Sequence, residues 1–117
     1  KRMGLSILMT ACYHSKQYIT ADAIEAEYIA PYYGRMEESG LDAFQHLCQM
    51  KDFETYSTNG CKILVASIRS VEQMITLAAQ GHAYFTIAPR IAEELIKNEL
   101  TIKAVGEFNE AASKVEV

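Results

Sequence analysis

Four short apolar runs constrain this chain more than any other feature: LSILMTACY (Leu5–Tyr13), EYIAPY (Glu27–Tyr32), KILVASI (Lys62–Ile68) and AYFTIA (Ala83–Ala88). Each has the length of a strand, and none alternates strictly between polar and apolar residues. A strand with one wet face must alternate, whereas a run that is apolar at successive positions suits a parallel strand buried on both faces. Helical patterns lie between the runs. SKQYITADAIEA starts at Ser15 as N-cap, and GLDAFQHLCQMKDFETYSTNG sets Leu41, Phe44, Leu47, Cys48 and Met50 along one stripe, with Gly60 as its end. In SVEQMITLAAQG, Ser70 is the cap, Val71, Met74, Ile75 and Ala78 share a face, and Gly81 is the stop. PRIAEELIKN carries Pro89 in its first turn, where a missing N–H costs nothing, and Asn98 as C-cap. A last amphipathic segment has Val105, Phe108 and Ala112 at helical spacing.

The order is therefore β-α-β-α-β-α-β-α plus a tail helix. The fold class is α/β, built of parallel βα units joined by right-handed crossovers. Two architectures satisfy it: a small doubly wound sheet, or part of a (β/α)8 barrel, of which four units are half. The opening Lys1-Arg2-Met3-Gly4 has the form of the last turn and cap of a helix. A chain that opens on a helix C-terminus is expected to be a fragment.

Composition narrows the function classes. At 117 residues, half of them apolar, the chain suits one domain with a sizeable core. A net charge of −4 argues against a nucleic-acid binder, since phosphate affinity needs clustered Lys and Arg. No apolar run approaches the ~18 residues of a membrane span, and no signal-peptide pattern is visible. Cys12, Cys48 and Cys61 are odd in number and widely spaced, which suits reduced thiols in a cytoplasmic chain. Cys12 and His14 could touch a metal, but no second pair stands at ligand spacing, so no metal site is expected. His46 and His82 are expected at the surface or the core edge.

In either architecture a ligand site forms beyond the carboxyl ends of the strands. The polar residues there are Thr10, Tyr13 and His14 after the first run, and Tyr32, Tyr33 and Arg35 after the second. Ser67 and Arg69 follow the third, and Thr86 and Arg90 the fourth. Arginine offers a planar donor fork that matches phosphate oxygens, and Ser67 adds a hydroxyl just before the helix near Ser70. The alternative is that Arg35 and Arg69 are solvated loop residues paired with Glu37 or Glu38. Thr10 could hold a water or merely fill a β-favouring slot, and Tyr32 could exchange a proton or serve as an amphipathic rim. Glu37 and Glu38 are expected to face solvent. No serine, cysteine or lysine sits beside an obvious base, so a nucleophile is missing.

Four signatures sharpen this. TACY at Thr10–Tyr13, EYIAPYYGR at Glu27–Arg35, VASIR at Val65–Arg69 and TIAP at Thr86–Pro89 resemble the last four strands of the transaldolase family. The resemblance is closest to its short bacterial branch, the fructose 6-phosphate aldolases and small transaldolases. The signatures fall in order over almost the whole chain, and the 32 positions from Arg35 to Ser67 fit that branch. The resemblance implies a (β/α)8 TIM barrel that cleaves or transfers a dihydroxyacetone unit through a Schiff base on a lysine of the fourth strand. Residues 1–117 would then be strands five to eight plus a C-terminal helix, the C-terminal half of one barrel domain. The lysine would lie upstream of Lys1, since Lys16 starts a helix and Lys62 begins a strand at the wrong end.

By the same resemblance, Thr10 helps hold the catalytic water and Ala30 is a small wall beside the three-carbon unit. Tyr32 takes part in proton transfer, Arg35 and Ser67 grip the phosphate, and Arg69 is their basic partner. Pro31 would turn the chain off its strand so that Tyr32 faces the reacting carbons. Gly34 stands where some aldolases carry asparagine, a departure that bears on substrate preference, as does CYHSKQ after the first strand. The implied partners are a sugar phosphate, a missing N-terminal half-barrel and further copies in a homo-oligomer, with no cofactor. The tail from Leu100 to Val117 would pack on a neighbouring subunit or on its own core. The rival is a non-catalytic module, a half-barrel or small doubly wound sheet that binds a phosphorylated ligand or another chain. A half-barrel leaves two open edges and an apolar inner face, so it is expected to dimerise or aggregate.

Overall fold

All four apolar runs become parallel strands. The computed structural model describes residues 6–115. Its elements run β1 (Leu8–Cys12), α1 (Lys16–Ala23), β2 (Tyr28–Pro31), α2 (Tyr33–Glu38) and α3 (Ala43–Thr55), then β3 (Lys62–Val65), α4 (Val71–Ala79), β4 (Tyr84–Phe85), α5 (Pro89–Ile96) and α6 (Glu99–Val115). The Lys1–Gly4 opening lies outside the described residues, as does the side chain of Ala112. Two compact units divide the chain, Lys1–Ile87 and Ala88–Val117. The first holds the whole sheet, and the second holds α5 and α6. No helix among the described residues is long and apolar enough to cross a membrane.

Strand order in the sheet is β1-β2-β3-β4, every pair parallel. Each crossover therefore steps one strand in the same direction. A doubly wound sheet reverses its order at a switch point, whereas a barrel does not. The α/β expectation holds in its barrel form. Register places Leu8, Tyr28 and Lys62 in one row and pairs Leu64 with Tyr84. Because side chains alternate along a strand, Ile29, Ile63 and Val65 point to the opposite face, where they are buried. Helices α1 and α3 pack on that side. On the other face Leu8 and Tyr84 remain 49% and 42% exposed.

Local chemistry explains most of the boundaries. Ser70 caps α4 by accepting from the Gln73 N–H at 3.2 Å, and Gly81, at φ +108°, follows the helix as expected. Ser15 stands at the N-cap of α1 but does not cap it. Its hydroxyl donates to Gln49 at 2.6 Å, and Gln17 instead accepts from the Tyr13 and His14 N–H groups. Asp42 caps α3, so the helix starts after Leu41 and buries Ala43, Leu47 and Met50, leaving Leu41 and Phe44 exposed. That helix stops at Thr55, well before Gly60, whose φ of +72° serves the turn into β3. In α4 the buried residue is Leu77, while Ile75 is 59% exposed, so the inward face is rotated from the expected one. Asn98 does not end α5. Its side chain accepts from the Thr101 N–H at 3.0 Å and opens α6.

Two further differences concern buried polar groups. His82 is almost fully buried, not at the surface, and burial pushes its pKa down to about 4. Asp22, unremarkable in the sequence, ties the end of α1 to the segment before β3. Its carboxylate accepts from Ser57 Oγ at 2.6 Å and from the Cys61 N–H at 3.2 Å, and its carbonyl from Asn59 Nδ2 at 2.7 Å.

Candidate functional site

The site grows from the way α2 docks on the loop after β3. Pro31 stays within the sheet, its carbonyl accepting from the Ala66 N–H at 2.9 Å, and Tyr32 still bridges Ala66. The chain leaves the sheet one residue later than expected, because proline lacks a donor but its carbonyl can still complete the ladder. Successive N–H groups of Tyr33, Gly34 and Arg35 then donate to Ala66 O (2.9 Å), Ser67 O (2.7 Å) and Ser67 Oγ (3.1 Å). Ser67 adopts φ +61°, a conformation that L-residues rarely take, which turns its carbonyl and hydroxyl toward α2. Close approach requires glycine at position 34. A Cβ there would lie 2.3 Å from Ser67 O and 2.6 Å from Arg69 Cγ.

This docking brings Tyr32, Arg35, Ala66, Ser67 and Arg69 around one open cleft of about 270 Å³ at the carboxyl ends of the strands. Arg35 lies with Cζ 5.6 Å from the Tyr32 ring centroid, and a hydrogen bond with the Tyr13 side chain is the main influence raising its pKa. Ser67 Oγ, though it accepts from Arg35, keeps its own proton to donate. Arg69 forms an ion pair with Glu38, Nε to Oε2 at 3.1 Å, and Glu37 accepts from Gln73 Nε2. The paired-arginine alternative is thus realised at Arg69. The two glutamates are exposed yet engaged.

Of the six expected site residues, four meet in the cleft. Thr10 is exposed in β1 and Ala30 is buried in β2, and neither lines it. Lys16 begins α1, and Lys62 begins β3, its Nζ 5.6 Å from the Tyr28 ring and 6.0 Å from that of Tyr84. Both positions are as expected, and neither lysine lines the cleft. Burial raises the Cys12 and Cys61 thiols, the latter to about 11, so neither is a thiolate nucleophile at neutral pH. The His14 and His46 rings meet at a 58° tilt, centroids 4.3 Å apart, and among the described residues no three His, Cys, Asp or Glu gather as metal ligands. Tyr13 stands on the same rim by its position after the first run. Its ring lies 5.9 Å from that of Tyr32, a contact made by pairing of β1 with β2.

A parallel βα sheet wound in one direction, with an arginine–serine cleft beyond its strand ends, defines a (β/α)8-barrel type of protein with an anion-sized site. The chain belongs to the transaldolase/fructose-6-phosphate aldolase family, whose pattern it matches over residues 1–117. Its relatives include a probable transaldolase of Bartonella henselae, 31% identical over 107 residues, 92% of this chain and 49% of that protein. Another, from Chelativorans sp., is 29% identical over 105 residues, 90% of this chain and 48% of the relative. A third, from Paracoccus denitrificans, is 28% identical over 106 residues. The chain spans about half the length of these curated relatives.

Proposed function

We propose that this chain forms the carboxyl-terminal four βα units of a (β/α)8 barrel that cleaves or transfers a dihydroxyacetone unit of a sugar phosphate of the fructose 6-phosphate type. The observation that carries this reading is the convergence of Arg35, Ser67, Arg69 and Tyr32 on one cleft beyond the strand ends. Guanidinium forks and a serine hydroxyl suit a phosphate monoester, and fixing the phosphate sets the register of the carbon chain. A lysine from the other four units adds to the ketose carbonyl with loss of water. The resulting imine takes up the electron pair of the breaking carbon–carbon bond, giving an enamine and releasing an aldehyde. Tyr32 and a water held by Thr10 carry the proton from the hydroxyl of the departing fragment, and Ala30 leaves room for the three-carbon unit. The working protein is a cytoplasmic homo-oligomer.

The second reading is a non-catalytic module that binds a phosphorylated ligand. In its favour, neither Lys16 nor Lys62 lines the cleft. One experiment separates the two: borohydride reduction of the purified protein with fructose 6-phosphate, followed by intact mass spectrometry. A three-carbon adduct on a chain about twice the 13.1 kDa of this one supports the Schiff-base enzyme. An unmodified 13.1 kDa chain, or an adduct on Lys16 or Lys62, refutes it.

A further inference from the structure

Arg35 and Arg69 differ in how they are held. Arg69 is braced by Glu38. Arg35, exposed on α2, has no carboxylate within ion-pair distance among the described residues. A long exposed arginine samples many rotamers, and an anion that captures it must oppose that entropy. Here the guanidinium lies 5.6 Å from the Tyr32 ring centroid, and the Tyr32 ring in turn leans on Tyr13 at 5.9 Å and 56°. Tyr13 is itself pinned. Its N–H donates to Gln17 Oε1 at 2.8 Å, and its half-buried ring follows a register shift in β1 at Ala11, where φ is +53°.

We infer that Tyr13 is a positioning residue for the anion cleft: its ring backs Tyr32, over which the Arg35 guanidinium lies, so that the guanidinium is set over the cleft before an anion arrives. The inference deepens the phosphate-grip reading and rests on it for its purpose, though not for its geometry. Cation–aromatic contact and ring packing together restrict Arg35 without neutralising it, which a carboxylate would do. The two arginines thus divide the work, one tethered through charge and the other through aromatic faces.

The test uses the full protein in which these residues work, with Tyr13→Leu and Tyr13→Phe, the Arg35 Nε–H proton followed by NMR and inorganic phosphate as the probe. A guanidinium over a ring carries an upfield ring-current shift. Tyr13→Leu keeps apolar bulk and is expected to lose most of that shift and to weaken phosphate binding about three- to tenfold. Tyr13→Phe restores the ring and is expected to recover the shift, with backbone spectra unchanged in both variants. A Tyr13→Phe chain that instead behaves like Tyr13→Leu overturns the ring's positioning role. An unchanged Arg35 shift in Tyr13→Leu overturns the inference. If the wild-type Arg35 signal ignores phosphate while Tyr13→Leu still releases it, the positioning stands and the anion-site reading fails.

Discussion

Replacing Gly34 by alanine places a methyl group where the loop after β3 already is. The new Cβ would sit 2.3 Å from Ser67 O and 2.6 Å from Arg69 Cγ, and the nearer atom is backbone, which cannot swing aside. Relief requires α2 and the loop to part by about 1 Å, enough to break the Gly34 N–H to Ser67 O and Arg35 N–H to Ser67 Oγ bonds. Two such bonds are worth about 1–3 kcal/mol and overpacking about 1–3 kcal/mol, offset by roughly 1 kcal/mol of alanine's helix propensity. The expected net loss is about 1–5 kcal/mol, read as a lower urea midpoint by circular dichroism. Gly106→Ala is the matched control, since a Cβ at that helical glycine meets nothing within 4 Å. It should stabilise, by up to about 1 kcal/mol. Should Gly34→Ala fall within about 0.5 kcal/mol of the parent chain, or track Gly106→Ala, the close approach is not the reason for glycine at position 34.

Two other outcomes follow from features already described. His82, with a folded pKa of about 4 against an ordinary value of 6.5, stays neutral in the fold after the unfolded chain has taken up its proton, so stability should fall as pH drops from about 6.5 to 4. The loss is at most about 3 kcal/mol, and His82→Leu should flatten that part of a urea-midpoint profile; an unchanged slope would sink the assignment. The open face around Leu8 and Tyr84 and the edges of β1 and β4, unpaired among the described residues, should make the isolated chain dimerise or aggregate in sedimentation velocity. A clean monomer across a wide concentration range would count against the half-barrel.

The strands were legible because a parallel strand under helices must be apolar, and all four runs contain one. Their lengths were overstated at the sheet edges. β4 pairs only with β3 and shortens to Tyr84–Phe85. Helix α2 left no signal, since its six residues include glycine and its start is held by Ala66 and Ser67, more than 30 positions away. Position at the strand ends put Tyr32, Arg35, Ser67 and Arg69 among ten rim residues, and the family resemblance chose them from that set. It could not show that Thr10 and Ala30 lie off the cleft, because the irregularity at Ala11 and the depth of β2 are set by packing. Likewise, an asparagine between two helices can end one or begin the next, and only the Thr101 N–H decides in favour of the second.

The Asp22 knot makes the connection into β3 a crossbar, not a slack tether. Ser57, Asn59 and Cys61 are each bonded to that one residue, and Ser57 Oγ also takes the Gly60 N–H at 2.8 Å. Lengthening an ordinary surface connection costs only tenths of a kcal/mol in closure entropy. Here an added residue would displace several bonds at once and shift the spacing between the first and third strands. The turn at Gly40 is different: exposed, at φ +83°, with nothing within 4 Å of a Cβ placed there, and bonded to its own neighbours, Gly40 N–H to Glu37 O and Leu41 N–H to Met36 O, both 3.0 Å. The chain thus has one connection whose bonds are local to its own turn and another that acts as a ruler between α1 and β3.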